Sequence, residues 1–198
     1  MELVIASSNL HKIREFREIL KVISKLDLLS LVQFPEYQAP PEDGKTFQEN
    51  AQRKAEHAAK ILGKWVLADD SGLVVPALNG APGVNSRRYA GEEATDGENR
   101  KKLLNEMGHL NDHQRGAYFE CCLCLASPDG VVKFVTGTCE GTILTDERGN
   151  NGFGYDSLFV KQEYDKTFAE ISESTKNRIS HRRKALEKLL ATIETLEP

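Results

Sequence analysis

The chain has 198 residues, 39% of them hydrophobic, and 30 Asp and Glu against 26 Lys and Arg give a formal net charge of −4. A chain of this size buries a substantial core, and its charge balance gives no basic field for a nucleic acid polymer or an anionic membrane, so any anion site has to be local. It opens MELVIASS, with no charged leader ahead of an apolar stretch, and no apolar run reaches the length a bilayer requires; a cytoplasmic protein is expected.

Leu3 to Ala6 is predicted as a short buried strand. Ser7, Ser8 and Asn9 are cap-type residues, and Leu10, Ile13, Phe16 and Leu20 follow at helical spacing, so the start reads strand, tight turn, helix. Thr46-Phe47-Gln48-Glu49 has the spacing of a capping box and opens a second helix, which carries Ala51, Ala55, Ala58, Ala59 and Leu62 and stops at Gly63. Trp65 to Ala68 is the second predicted buried strand; it runs into Asp69 and Asp70, after which Ser71 and Gly72 are expected to turn the chain. Residues 72–94, rich in Gly, Pro and Asn, read as an ordered surface loop. Thr95-Asp96-Gly97-Glu98 repeats the capping-box spacing and starts a helix through Leu103, Leu104 and Met107 to Gly108. Gly116 to Ser127 and Val131 to Leu144 are predicted strands joined in a hairpin at Pro128-Asp129-Gly130. From about Thr175, apolar Ile179, Leu186, Leu189, Leu190, Ile193 and Leu196 predict a helical C-terminal stretch. Alternating strands and helices followed by a hairpin predict an α/β fold with a mixed sheet and flanking helices, as one domain over residues 1–198. Two lobes around a central groove would make the groove the natural site.

Four stretches carry possible chemistry. In SSNLHK, residues 7–12, the turn out of a buried strand into a helix exposes backbone N–H groups at the positive helix end, with Asn9 and Lys12 on one face of the first turn. The plain alternative is an ordinary cap with a solvated lysine. In ADDSGL, two adjacent carboxylates at the end of a buried strand are costly unless paired or bound to a metal, and they point to different sides. One could hold a divalent cation while orienting or deprotonating a water, its neighbour capping the next turn or sharing the metal. Glu42, in PPEDG, could reach the same ion. GNNGFGYD, residues 149–156, offers closely approachable glycine backbone and the aromatic faces of Phe153 and Tyr155 for a purine. KNRISHRR, residues 176–183, puts Lys176 and Ser180 on one helix face with His181 and Arg182 side by side, as donors for a base edge or a phosphate. Cys121 and Cys124 have C-x-x-C spacing, but on a strand they point to opposite faces, and with only Cys139 left as a further partner they read as buried apolar thiols. Together the four stretches supply what a nucleoside triphosphate needs.

ASSNLHK, TFQENAQRKA, ADDSGL, APGVNSRRYAG, GFGYD and ISHRRKAL, in this order across nearly all of residues 3–190, resemble the inosine triphosphate pyrophosphatase (Ham1-like) family. The resemblance implies a two-lobed mixed α/β fold, a homodimer, and Mg²⁺-dependent hydrolysis of ITP, dITP and XTP to the monophosphate and pyrophosphate, cleansing the nucleotide pool. It maps the phosphate-binding turn onto Ser7, Ser8, Asn9, Leu10, His11 and Lys12, the metal carboxylates onto Glu42 and Asp70, and the proton acceptor onto Asp70, with Ser71 as a substrate contact. Lys54 matches a phosphate-facing lysine. Base recognition maps onto Phe153, Gly154, Tyr155 and Asp156, then Lys176, His181 and Arg182. Ser8 departs from the glycine that many members carry, which bears on affinity. A nucleotide-binding regulator without catalysis, or a related enzyme of the septum-inhibitor (Maf-like) type acting on modified pyrimidine or standard triphosphates, would share several of these features.

Overall fold

A computed structural model describes residues 1–196; the last two residues of the expected 1–198 domain lie outside it. The described chain forms two compact units, the first from residues 1–70, 121–137 and 182 onward, the second from residues 71–120 and 138–181. In chain order the elements are β1 (Glu2–Ile5), α1 (Leu10–Leu20), β2 (Asp27–Ser30), α2 (Phe47–Leu62), β3 (Trp65–Val74), α3 (Asp96–Glu106), β4 (Gly116–Ser127), β5 (Gly130–Ile143), β6 (Phe159–Lys161), α4 (Glu173–Ile179), α5 (His181–Glu187) and α6 (Leu190–Glu194). The strands follow the order β2-β1-β3-β4-β5-β6 in one sheet. β1 is parallel to β2 and β3, while β5 is antiparallel to β6, so the sheet is mixed as predicted.

The first unit's core is built by two periodicities that meet. α1 turns Ile13, Phe16, Ile19 and Leu20 toward Leu3, Ile5 and Leu67, and alternate residues of β4, Cys121, Leu123 and Leu125, complete the layer with Ala185, Leu186 and Leu189. The second unit has its own core of Leu73, Val75, Leu103, Met107 and Phe119 with Tyr155, Phe159 and Phe168. There Phe119 meets Phe159 edge-on at 4.8 Å between ring centroids.

Local signals fail where burial overrides them. Ser71 and Gly72 do not turn the chain: β3 continues to Val74, because Leu73 and Val75 are core residues and Ser86 Oγ accepts the Leu73 N–H at 2.9 Å. The C-terminal stretch is three short helices, with Ser180 extended (φ −72°, ψ 162°) between α4 and α5. Its apolar residues serve different cores, since Ile179 packs in the second unit and Leu186 in the first. Lys176 and Ser180 therefore do not share the face of one continuous helix. Thr46 caps α2 through the Glu49 N–H, but Glu49 turns its carboxylate to the Lys45 N–H, so only half of the expected capping box forms there. β2 and β6, four and three residues long, carry too little pattern to be read from the sequence.

Candidate functional site

In the first unit, Asn9 caps α1: its Oδ1 accepts the N–H groups of His11 and Lys12 at 3.0 and 3.2 Å. Two donors expected to face an anion are thus already taken, leaving the Lys12 side chain as the turn's main cationic group. That ammonium lies 2.7 Å from Asp69 Oδ2. Ser8, Leu10 and His11 are exposed around it, with Ser7 and Asn9 half-buried.

Asp69 and Asp70 follow one another on β3, so their side chains leave opposite faces. Asp69 is fully enclosed: besides Lys12 it meets Arg182 Nη2 at 3.4 Å and accepts the Cys121 thiol at 3.1 Å. Arg182, 1% exposed, also pairs with Glu15 and lies with its guanidinium carbon 5.5 Å from the Phe16 ring centroid. Burial alone would raise the Asp69 carboxyl, but the Lys12 and Arg182 cations outweigh it and hold the group well below the usual carboxylate range.

Asp70 has the opposite balance. Asn50 Nδ2 donates to its Oδ2 at 3.0 Å, and Lys54 Nζ lies 3.3 Å from its Oδ1, 2.8 Å from Glu42 Oε1 and 2.7 Å from the Asp69 carbonyl. Burial raises the Asp70 carboxyl, Lys54 and Lys12 pull against it, Glu42 adds to the rise, and the net shift is upward. Lys54 is itself desolvated, yet Asp70 and Glu42 raise its pKa overall. Asn50 is held by the Gly44 N–H at 2.8 Å, and a Cβ on Gly44 would stand 2.5 Å from that same Asn50 oxygen.

The pair fits a divalent metal. Glu42 and Asp70 supply hard oxygens that already converge on a single cation, the Lys54 ammonium. Among the described residues no group of three or more His, Cys, Asp or Glu could hold a metal ion, so water and phosphate oxygens would have to complete the shell.

In the second unit, Asp156 is the centre. Its Oδ2 accepts the Phe153 N–H at 3.0 Å and the Lys176 ammonium at 2.6 Å. That ammonium lies 4.7 Å from the Phe153 ring centroid and 5.7 Å from that of Phe168. Gly152, at φ +77°, is obligatory, because a Cβ there would stand 2.1 Å from Asp156 Oδ2. Of the two aromatic faces expected for a purine, Tyr155 is in the core and donates its hydroxyl to the Ser86 carbonyl at 2.8 Å; only Phe153 stays half-exposed. His181 is buried with its ring stacked on Phe119 at 4.9 Å. Ser71, half-buried on β3 just past the carboxylate pair, also belongs to this unit.

Asn50 and Glu15 were not singled out from the sequence. Asn50 carries a usable signal, four residues before Lys54 on α2 and so on the same face; Glu15 stands among Ile13, Phe16 and Ile19, where a lone acid on an apolar stripe calls for a buried cation.

The Ham1 family profile matches residues 3–192. A Protochlamydia amoebophila protein named dITP/XTP pyrophosphatase is 64% identical over 197 residues, covering 99% of each chain. Among solved structures, a HAM1 protein from Coxiella burnetii aligns with TM-score 0.89 at 41% identity over 99% of this chain and 100% of its own. The Staphylococcus aureus Ham1 protein aligns with TM-score 0.86 at 44% identity over 98% of each.

Proposed function

Because the chain belongs to the Ham1 family, we propose that it is a nucleoside-triphosphate pyrophosphatase that hydrolyses ITP, dITP and XTP to the monophosphate and pyrophosphate, with Mg²⁺ as cofactor. The observation that carries the reading is the convergence of Glu42 and Asp70 on one cation, the Lys54 ammonium. Those two carboxylates would hold the metal, whose charge would offset that of the triphosphate. The chain's own residues then divide the work. The first unit's Ser7–Lys12 turn and Lys54 are assigned to phosphate. Asp70 orients a water for attack at the α-phosphorus and takes its proton, and the bond to the β-phosphate oxygen breaks to release pyrophosphate. Asp69 keeps Lys12 placed.

The second unit is assigned to the base. A 6-oxopurine presents an acceptor where adenine presents an amino donor, so a donor such as Lys176 accepts the first and leaves the second unpaired. Phe153, Gly154, Tyr155, Asp156 and His181 are assigned to the same end. The resemblance gives Arg182 to the base as well, although this residue belongs to the first unit and its guanidinium is engaged by Glu15 and Asp69. A homodimer in the cytoplasm completes the reading; among the described residues no helix is long and apolar enough to cross a membrane.

Side-by-side pyrophosphate release from ITP, XTP, GTP, ATP, dUTP and dTTP tests it. Preference for ITP and XTP, lost in excess EDTA and restored by Mg²⁺, is the expected result. No release with any substrate would leave a binding protein, and preference for pyrimidines would point to the Maf-like reaction. Sedimentation at micromolar concentration checks the dimer.

A further inference from the structure

Helix α3 carries no residue assigned above, yet its first turns hold the backbone of the GFGYD segment at two points. Asp96 Oδ2 accepts the Gly154 N–H at 2.6 Å, and Arg100 Nη1 donates to the Gly154 carbonyl at 2.8 Å. The two residues are four apart on α3, so they project from one face and grip the peptide units on either side of Gly154. Gly154 has φ +60°, a left-handed conformation that gives the segment its bend. Arg100 is fixed in turn, with its Nε 2.8 Å from Glu147 Oε2, the same oxygen that accepts the Ser157 hydroxyl at 2.9 Å. Asp96 and Arg100 therefore sit outside a short chain of contacts that runs from Gly154 to Phe153 and Asp156, and from Asp156 to the Lys176 ammonium. Between them on α3, Asn99 grips a second segment of the unit, accepting the Ala90 N–H and donating to the Arg87 carbonyl, both at 2.8 Å.

We propose that Asp96 and Arg100 are positioning residues for base discrimination: by clamping both peptide units of Gly154 they set the height of the Phe153 ring and the placement of Asp156, and so aim the Lys176 ammonium. This rests on the assignment of Phe153 and Lys176 to the base. The clamp uses backbone groups and charge-assisted hydrogen bonds, which hold geometry more tightly than neutral ones. A small displacement of a group that contacts substrate is enough to weaken binding and selectivity while leaving distant chemistry untouched.

The test is steady-state kinetics of Asp96→Ala, Arg100→Ala, Arg100→Lys and the double alanine variant on ITP and ATP at saturating Mg²⁺, with inhibition by inorganic pyrophosphate measured alongside. The expected result is a KM for ITP raised about tenfold in the double variant, kcat within about twofold, and an ITP to ATP ratio of kcat/KM reduced on the order of tenfold, the loss of one or two hydrogen bonds. Pyrophosphate inhibition should not move. Arg100→Lys should recover part of the ratio, since an ammonium can reach the Gly154 carbonyl but cannot also fork to Glu147. If the double variant melts far below the wild type, Asp96→Ala alone decides, because Asp96 is exposed. An unchanged KM and ratio, or a parallel loss for ITP, ATP and pyrophosphate, overturns the proposal. Lys176→Ala separates it from its premise: a ratio that falls in Lys176→Ala but not in the α3 variants sinks the clamp alone, and a ratio unmoved in Lys176→Ala sinks the base assignment itself.

Discussion

Asp69 and Asp70 are neighbours in sequence with opposite electrostatic fates, and two substitutions should separate them. Asp70→Asn is expected to lower turnover by roughly 10² to 10⁴, the range for loss of a general base. Its stability at pH 7.5 should move little. The Asp70 carboxyl is raised in the fold, so its ionised form costs stability as pH climbs above the unfolded value, while the same charge compensates the buried Lys54 ammonium, and the amide removes both. A melting temperature at pH 7.5 far below wild type would contradict this. Asp69→Asn should act through the fold instead, because it strips the buried charge shared by Lys12 and Arg182; a loss of about 3–5 kcal/mol, read from the urea midpoint, is the scale for breaking a buried pair. The pH sign follows from the depressed carboxyl. Its stabilisation is complete above the unfolded value of about 3.9 and is lost as pH falls through the folded one, so wild-type stability should decline below about pH 4, and less steeply in Asp69→Asn.

At the scale of elements, α3 and the segment it grips make the sharpest forecasts. Thr95 caps α3 in a full capping box with Glu98, and Thr95→Ala should cost about 1 kcal/mol by chemical denaturation. Gly152→Ala should be worse for function than for folding: the added methyl meets Asp156 Oδ2 and must break its bonds to Phe153 or Lys176. A variant that melts within a few degrees of wild type yet keeps the full ITP to ATP ratio would show that Asp156 does not organise the base end. The elements also show how legibility fades with length. The spacing that predicted α1, α2, α3 and the β4–β5 hairpin extends over many residues, and the structure has all of them; the turn expected at Ser71-Gly72 rested on two residues, and burial of Leu73 and Val75 outweighed it.

Across the whole molecule the four cysteines behave as apolar core. Cys121, Cys122, Cys124 and Cys139 are buried thiols outside any disulfide, with at most 2% exposure, and desolvation pushes Cys124 up to about 12 and Cys121 well above its ordinary value. Native protein at pH 8 should show no fast reaction with a disulfide reagent, and four equivalents should appear in guanidinium. A rapid native equivalent would mean that a β4 or β5 thiol is reached by local opening.

The sequence by itself determined the repeating patterns: the caps at Asn9, Thr46 and Thr95, the apolar stripes, the hairpin, and the presence of two adjacent carboxylates on a buried strand, though not that the strand runs on past them to Val74. Tertiary structure alone decided what those groups do. Nothing within a few residues of Asp69 says that Lys12, Cys121 and Arg182 will surround it, or that Asp70 will share Lys54 with Glu42, because those partners arrive from distant segments. The same holds for Tyr155, whose ring went into the second unit's core, and for Ser180, where one predicted helical stretch breaks because Ile179 and Leu186 belong to different cores. Periodicity is a property of a segment, whereas a charge's partner is a property of the packed chain, and the free energy of pairing a buried carboxylate is large enough to choose among the segments that reach it.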